Sequence, residues 1–127
     1  MNTVIIGLGS NIQPHANIEK ARTILAQNFK VLAESIFVKT KPLGPESQPD
    51  FINGAVLLAT NLDYDALRAE LKDIEKSLGR DLQVKRFGPR TIDLDILVWN
   101  NKVIDPDFYE RDFLKQSVLE LIPDLPH

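Results

Sequence analysis

Two aspartates lie two positions apart in an apolar segment, and they are the residues of this sequence best suited to metal chemistry. Asp93 and Asp95 fall within residues 92–98, where alternating apolar residues predict a buried β-strand. Because side chains two positions apart leave the same face of a strand, both carboxylates point the same way. Neighbouring anions are costly unless a cation lies between them, and Mg²⁺ prefers oxygen ligands. The pair therefore predicts a magnesium site.

A basic segment leads directly into this strand. Residues 80–90 contain one acid, Asp81, and four basic residues: Arg80, Lys85, Arg86 and Arg90. Phe87 lies in the same segment and could stack on a ligand. Such a run is often only a solvated face, but beside a carboxylate pair it favours binding of a polyphosphate together with Mg²⁺.

The Asp-x-Asp pattern by itself is a weak signal, because it occurs three times in this chain. Asp63 and Asp65 open a predicted helix, where acids cap backbone N–H groups. Asp105 and Asp107 flank a proline and predict a solvated turn. Only the middle pair lies in an apolar strand. A structural alternative, edge-strand solvation or a salt bridge to Arg90, stays open for it at this point.

Asn53 is the unusual residue of another predicted strand, residues 51–60. A buried amide must find hydrogen-bond partners, which a neighbouring loop could supply. Alternatively, the amide could read the edge of a flat heterocycle, with the Phe51 ring beside it. Residues 41–50 contain three prolines and a glycine, which predicts either a functional loop or a rigid crossover. Gly9-Ser10-Asn11 predicts a turn, or a backbone that leaves room for a ligand.

The composition indicates a globular domain, and we expect residues 1–127 to form a single one. Apolar residues make up 43% of the chain and charged residues 26%. The net charge of −3 argues against a nucleic-acid surface. No apolar run approaches the ~20 residues of a membrane span. With no cysteine and no basic leader pattern, we expect a cytoplasmic protein, monomeric and without membrane partners.

The order of predicted elements is typical of an α+β, ferredoxin-like βαββαβ core, a mostly antiparallel four-stranded sheet with both helices on one face. A C-terminal hairpin and a short helix at residues 114–122 follow. Asn53 and the Asp93/Asp95 pair then share the uncovered face. The predicted strands are residues 3–8, 31–40, 51–60 and 92–98, and the predicted helices are residues 14–28 and 63–78.

Four motifs together resemble the 6-hydroxymethyl-7,8-dihydropterin pyrophosphokinase family. They are Gly9-Ser10-Asn11, Pro42-Leu43-Gly44-Pro45, residues 48–53 (QPDFIN) and residues 86–96 (RFGPRTIDLDI). The resemblance implies transfer of the terminal diphosphate of ATP to a pterin alcohol, with release of AMP, in folate biosynthesis. It covers residues 1 to about 104 and resumes near Arg111.

The resemblance also implies a role for each matching residue. Asp93 and Asp95 match the ligands of two Mg²⁺ ions, and Ile96 matches a contact of the adenine pocket. The phosphate-binding arginines correspond to Arg80, Arg90 and Arg111, of which Arg80 and Arg90 are also implied in catalysis. The pterin-binding positions correspond to Thr40, Leu43, Phe51, Asn53, Phe87 and Phe113.

One segment departs from the family pattern. Residues 104–111 are shorter than the family's, and Asp105-Pro106-Asp107 stands where a His-Tyr pair helps to hold ATP. This departure keeps a second hypothesis open, a catalytically impaired module that binds pterin or nucleotide. An RNA-binding ferredoxin-like domain would need basic charge and paired aromatics on its central strands, and the acidic strand argues against it.

Overall fold

The computed structural model describes residues 1–42, 44, 47–79 and 90–127. Within these ranges no helix combines the length and apolar character needed to span a bilayer. The elements in chain order are β1 (Asn2–Ser10), α1 (Pro14–Asn28), β2 (Lys30–Glu34), β3 (Val38–Thr40), β4 (Phe51–Thr60), α2 (Tyr64–Ser77), β5 (Asp93–Trp99), β6 (Lys102–Val103), α3 (Asp107–Glu110) and α4 (Asp112–Leu121).

The strands form one antiparallel sheet in the order β2-β4-β1-β5-β6, and β3 pairs with β4 beside β2. The central strand β1 is therefore flanked by β4 and β5. This arrangement confirms the predicted ferredoxin-like core. It also places the predicted amide strand and the predicted carboxylate strand on the two sides of β1.

Helices α1 and α2 cover one face of the sheet, as predicted. Pro14 occupies the first turn of α1, where its missing N–H costs nothing. The Asp63 side chain caps α2, because Oδ1 accepts a hydrogen bond from the Ala66 N–H at 2.8 Å. The apolar stripes of both helices are buried against the sheet: Ile18, Ala21 and Leu25 from α1, and Leu67, Leu71 and Ile74 from α2.

The second face of the sheet is partly covered as well, which the sequence analysis did not predict. Phe108 of α3 and Val118 of α4 are fully buried against Ile5 of β1 and Ala55 of β4. The prediction that this face is uncovered was therefore wrong in part. The C-terminal helices form a second, smaller core here.

A β-bulge breaks the predicted alternation of β5. Ile5 of β1 pairs with Val98, but the next residue, Ile6, pairs with Ile96, so Leu97 is the extra residue. As a result Val98 packs in the second core with Leu97, and not with Ile96 as predicted. Asp93 and Asp95 lie before the bulge and keep the common face predicted for them.

The predicted strand 31–40 is two strands, because residues 35–37 leave the ladder. The Ser35 hydroxyl accepts a hydrogen bond from the Ala55 N–H at 2.8 Å. The Phe37 ring lies directly over Gly54, where any β-carbon would collide with it. These two contacts interrupt regular pairing along β4 and allow β3 to form a separate short strand at the Phe51 end.

The predicted hairpin after β5 is present and has a tight turn. Asn100 and Asn101 both have positive φ, 49° and 65°, as a type I′ turn requires. The Asn100 Oδ1 also accepts a hydrogen bond from the Thr3 N–H at 2.9 Å, which fixes the hairpin to the start of β1.

Candidate active site

A cavity of about 300 Å³ opens on the second face of the sheet, beside α3 and α4. Most of the predicted site residues line it, although they come from distant parts of the chain. They are Thr40, Phe51, Asn53, Arg90, Asp93, Asp95, Arg111 and Phe113. The structure therefore brings together the residues for which a pterin, phosphate or metal role was predicted.

The remaining predicted residues are Ile96 and three residues that the structure does not describe. Ile96 lines a neighbouring cavity of about 200 Å³, which shares Asp95, Lys72 and Asp105 with the first. The two cavities therefore adjoin at the carboxylate strand. The other three predicted positions, Leu43, Arg80 and Phe87, lie outside the described residues.

Two glycines of β1 form the floor of the larger cavity. Gly9 pairs with Asn53 on one side and Asp93 on the other. Gly7 pairs likewise with Ala55 and Asp95. Because glycine has no side chain, a groove runs along β1 between the amide side and the carboxylate side. The turn predicted at Gly9 and Ser10 was wrong, because β1 continues through both residues, and the alternative that this backbone leaves room for a ligand stays a prediction.

The Asn53 side chain has a fixed orientation on the β4 side of this groove. Its Nδ2 donates to the Thr40 hydroxyl at 2.6 Å. Its Oδ1 lies against Gly9, 2.6 Å from where a β-carbon of that residue would be. The rings of Phe51 and Phe113 line the same cavity. An oriented amide in a cavity that two aromatic residues also line is suited to a flat heterocycle with both donors and acceptors.

Negative charge accumulates on the β5 side of the groove. The pKa of Asp95 is raised well above its usual value, first by loss of hydration and then by the charge of Asp93 and a hydrogen bond shared with it. The charges of Glu75 and Asp105 raise it further. Asp95 is an exposed residue that lines both cavities, so a cation can reach its carboxylate from solvent. The ionised pair is therefore a site that a bound cation would stabilise.

The donor set fits a hard divalent cation held jointly with a ligand. Among the residues the structure describes, no group of three or more His, Cys, Asp or Glu side chains could hold a metal by itself. Asp93 and Asp95, which share one face of β5, line the cavity together. Mg²⁺ typically takes one or two carboxylates and completes its shell with water and phosphate oxygens. Asp93 and Asp95 fit that pattern.

Asp105 and Asp107 flank the predicted turn, but both are half-buried and line the cavity, so the prediction that they are fully solvated was wrong. Loss of hydration raises the pKa of Asp105, and the charges of Asp107 and Asp93 raise it further. The hydrogen bond from the Asp107 N–H and the charge of Arg111 lower it in part. Arg111 Nη2 lies 3.8 Å from an Asp107 carboxylate oxygen. The reason is tertiary: burial of Phe108 folds this segment back over the sheet.

Glu75 is a buried carboxylate that the sequence analysis missed. It is fully buried on α2, and its Oε2 accepts a hydrogen bond from the Leu94 N–H at 2.7 Å. Its Oε1 lies 3.4 Å from Lys72 Nζ. A signal was present, because Glu75 follows Leu67 and Leu71 at intervals of four and so falls on the buried face of α2.

We expect Glu75→Ala to destabilise the protein by about 2–3 kcal/mol, because the buried Leu94 N–H would lose a charged acceptor. Glu75→Gln keeps an acceptor oxygen at the same place, so we expect it to cost much less. Chemical denaturation of both variants measures the difference. An alanine variant as stable as the glutamine variant would contradict the assigned hydrogen bond.

A comparison with protein families identifies one match across nearly the whole chain. The model of the family described as 7,8-dihydro-6-hydroxymethylpterin-pyrophosphokinase matches residues 5–123. The matched region includes every residue that lines the two cavities.

Characterised relatives agree with this match. The chain is 36% identical to the 2-amino-4-hydroxy-6-hydroxymethyldihydropteridine pyrophosphokinase of Haemophilus influenzae, over 98% of this chain and 84% of that protein. It is also 36% identical to the Bacillus subtilis protein of the same name, over 94% and 78%. It is 34% identical to the folate synthesis bifunctional protein of Arabidopsis thaliana, over 94% of this chain and 27% of that protein.

Proposed function

Because this chain belongs to the 7,8-dihydro-6-hydroxymethylpterin-pyrophosphokinase family, we propose that it transfers diphosphate from ATP to 6-hydroxymethyl-7,8-dihydropterin and releases AMP, a step of folate biosynthesis. The observation that carries the proposal is the family match over residues 5–123, which contains the whole described cavity. The cavity supports it, because an amide with aromatic rings and a carboxylate pair lie on opposite sides of one groove.

The two sides of the groove suit the two substrates. Asn53, oriented by Thr40, reads the edge of the pterin while Phe51 and Phe113 contact its faces. The adjoining cavity, with Ile96 in its wall, is suited to the adenine base. The polyphosphate then lies between these two regions, where Asp95 borders both cavities.

Asp93 and Asp95 would hold the Mg²⁺ ions, two in number according to the family resemblance. When bound, Mg²⁺ neutralises phosphate oxygens and helps to orient the group that is transferred. In its absence the carboxylates would repel a triphosphate. The raised pKa of Asp95 supports this assignment, because loss of hydration and the charge of Asp93 both disfavour its ionised form, and a bound cation would offset both.

The protein contributes mainly positioning and charge. In the proposed reaction the pterin hydroxymethyl oxygen attacks the β-phosphorus of ATP and AMP leaves, and such transfers depend on alignment and charge neutralisation. Arg90 and Arg111 line the cavity and supply positive charge to the phosphates. Arg80, Leu43 and Phe87 lie outside the described residues, so their roles in phosphate and pterin binding remain predictions from the resemblance.

Release of AMP from ATP tests the proposal directly. Wild-type protein with the pterin alcohol, ATP and Mg²⁺ should form AMP and the pterin diphosphate in equal amounts. Omission of the pterin should stop AMP formation, and a chelator of Mg²⁺ should do the same. Binding of the pterin in calorimetry without any AMP would contradict the proposal and support the binding-module hypothesis.

We expect the apparent affinity for Mg²⁺ to fall as the pH falls through the raised pKa of Asp95. The proton competes with the metal for the carboxylate, and it does so at higher pH than for an ordinary aspartate. Calorimetric titration of Mg²⁺ into protein with a non-hydrolysable ATP analogue measures this dependence. Free analogue titrated in parallel is the reference, and an identical pH profile for both would contradict the prediction.

The cytoplasmic location and the monomeric state are also proposed, on the sequence arguments given above. Size-exclusion chromatography with light scattering tests the second: a mass of 14.3 kDa is expected for the monomer.

A further inference from the structure

Asn11 lies immediately after β1 and bonds to two other segments of the chain at once. It is almost completely buried, with 3% of its surface exposed. Its Oδ1 accepts a hydrogen bond from the Arg90 N–H at 2.8 Å, and its own N–H donates to the Arg90 carbonyl at 3.1 Å. Its Nδ2 donates to Gln48 Oε1 at 2.7 Å and to the Pro49 carbonyl at 3.1 Å.

The side-chain amide of Asn11 thus takes the place of a peptide group in the sheet. β1 ends at Ser10, so its backbone no longer pairs with both neighbours there. A primary amide has the same carbonyl acceptor and N–H donor as a peptide unit. Here the acceptor faces the segment that precedes β5, and the donor faces the segment that precedes β4.

Each of these segments leads directly into one half of the cavity. Gln48 and Pro49 precede Phe51 and Asn53, the proposed pterin contacts. Arg90 lines the cavity itself and precedes Asp93. We propose that Asn11 is a positioning residue that holds the pterin side and the metal–phosphate side of the cavity at a fixed separation. This inference rests on the proposed function of the cavity.

The effect on catalysis should be large for a residue that does not line the cavity. In-line transfer requires that the alcohol oxygen and the β-phosphorus be held close together, and a misplacement of ~1 Å can cost about 10²-fold in rate. Loss of the amide removes the acceptor of the buried Arg90 N–H and a donor to the partly buried Pro49 carbonyl. Both segments are then free to shift relative to β1.

Two variants separate the two halves of the interaction. Asn11→Ala removes both, and we expect kcat/KM to fall by about 10²-fold. Asn11→Asp keeps an acceptor for the Arg90 N–H but cannot donate to Gln48 or Pro49. For this variant we expect the KM for the pterin to rise by about 10-fold while the KM for ATP changes little.

Asn17→Ala is the matched control. Asn17 is also a buried asparagine, and its Nδ2 donates to the Ile12 carbonyl, so the variant loses a side-chain hydrogen bond in the same turn. It does not contact the segments at 48–49 or 90. We expect a loss of stability comparable to that of Asn11→Ala, with kcat/KM within a few-fold of wild type. Equal kcat/KM in Asn11→Ala and Asn17→Ala would overturn the proposal.

Amide hydrogen exchange provides a readout that does not require turnover. In Asn11→Ala, exchange at the Arg90 amide and at residues 47–53 should accelerate together, and in Asn17→Ala it should not. If Asn11→Ala does not fold, hydrogen exchange in the wild-type protein still tests the proposal. Saturation with the pterin alone should slow exchange at the Arg90 amide, which lies on the opposite side of β1. An unchanged exchange rate at that amide would overturn the proposed connection between the two sides of the cavity.

The outcomes distinguish this inference from the proposed function. A wild-type protein that binds no pterin and forms no AMP contradicts the proposed function, whatever Asn11 does. An active wild type with an equally active Asn11→Ala contradicts only the positioning role.

Discussion

Replacement of Asp95 by asparagine should reduce AMP formation by about 10³-fold or more. A metal that neutralises transferring phosphates contributes several kcal/mol to transition-state stabilisation, and each 1.4 kcal/mol is a factor of ten. Asparagine has nearly the same shape as aspartate but lacks the charge that holds Mg²⁺. The KM for the pterin should change little, because Asn53 and its aromatic neighbours lie on the other side of β1. Steady-state kinetics of AMP release measures both quantities.

The same substitution should stabilise the protein when no metal is present. Because the folded-state pKa of Asp95 is raised, the folded protein favours the protonated carboxyl, and this contribution to stability is lost as the pH rises through that pKa. Asparagine carries no charge at any pH and does not show the loss. Thermal melts in a chelator should therefore show a growing advantage of Asp95→Asn over wild type as the pH increases.

Mg²⁺ with a non-hydrolysable ATP analogue should reverse this order. A ligand at 100 times its dissociation constant stabilises the folded state by about 2.7 kcal/mol, and only the wild type should gain it. Asp73→Asn is the control, because Asp73 is an exposed aspartate on α2 outside both cavities. An Asp95→Asn protein that gains the same ligand stabilisation as Asp73→Asn would exclude Asp95 as a metal ligand.

Local patterns were sufficient to predict the carboxylate pair. Strand periodicity placed Asp93 and Asp95 on one face, and the helical stripes and the Asp63 cap set the limits of α1 and α2 closely. These features depend on residues close together in sequence. The order of strands followed from the same information, because few sheet topologies accommodate a βαββαβ chain.

The bulge at Leu97 could not be predicted in this way. Leu97 and Val98 are both apolar, so either residue could face either core, and hydrophobic alternation carries no information there. What decides the register is the presence of a second core, into which both side chains pack. That core exists only because α3 and α4 fold back over the sheet.

Two parts of the site depend on contacts that are distant in sequence. The turn residues Asp105 and Asp107 have the composition of a solvated turn, and only the burial of Phe108, which follows them, brings them to the cavity. The partners of Asn11 lie 37 and 79 positions away. A sequence motif predicts that such residues matter but does not identify what they contact.

The glycines of β1 connect the fold with the proposed chemistry. Because β1 lies between β4 and β5, any side chain on this face at Gly9 would stand between the amide and the carboxylates. The glycines of β1 leave the space between its two neighbouring strands to Asn53, Leu97 and the substrates. At Gly9 the floor of the cavity should therefore be as sensitive to substitution as its walls.

Gly9→Ala should reduce affinity for the pterin by about 10²-fold, the second large effect we expect. The added β-carbon would lie 2.6 Å from Asn53 Oδ1, so the amide would have to leave its position. Displacement breaks the hydrogen bond to Thr40 and removes the oriented donor and acceptor from the pterin edge. Loss of two hydrogen bonds at about 1.4 kcal/mol each corresponds to about 10²-fold in affinity. Calorimetric titration of the pterin in the presence of Mg²⁺ and the ATP analogue measures the loss.

Gly7→Ala provides the comparison, because the two glycines lie on the same strand and the same face. A β-carbon at Gly7 would approach Leu97 Cδ1 at 3.0 Å, and the end of a flexible leucine can move by a few tenths of an ångström. We therefore expect Gly7→Ala to keep pterin affinity within a few-fold of wild type. Affinity for Mg²⁺ with the ATP analogue should persist in Gly9→Ala, because Asp93 and Asp95 extend from the neighbouring strand. If Gly9→Ala instead lost nucleotide affinity and kept the pterin, the two substrates would be assigned to the wrong sides of β1.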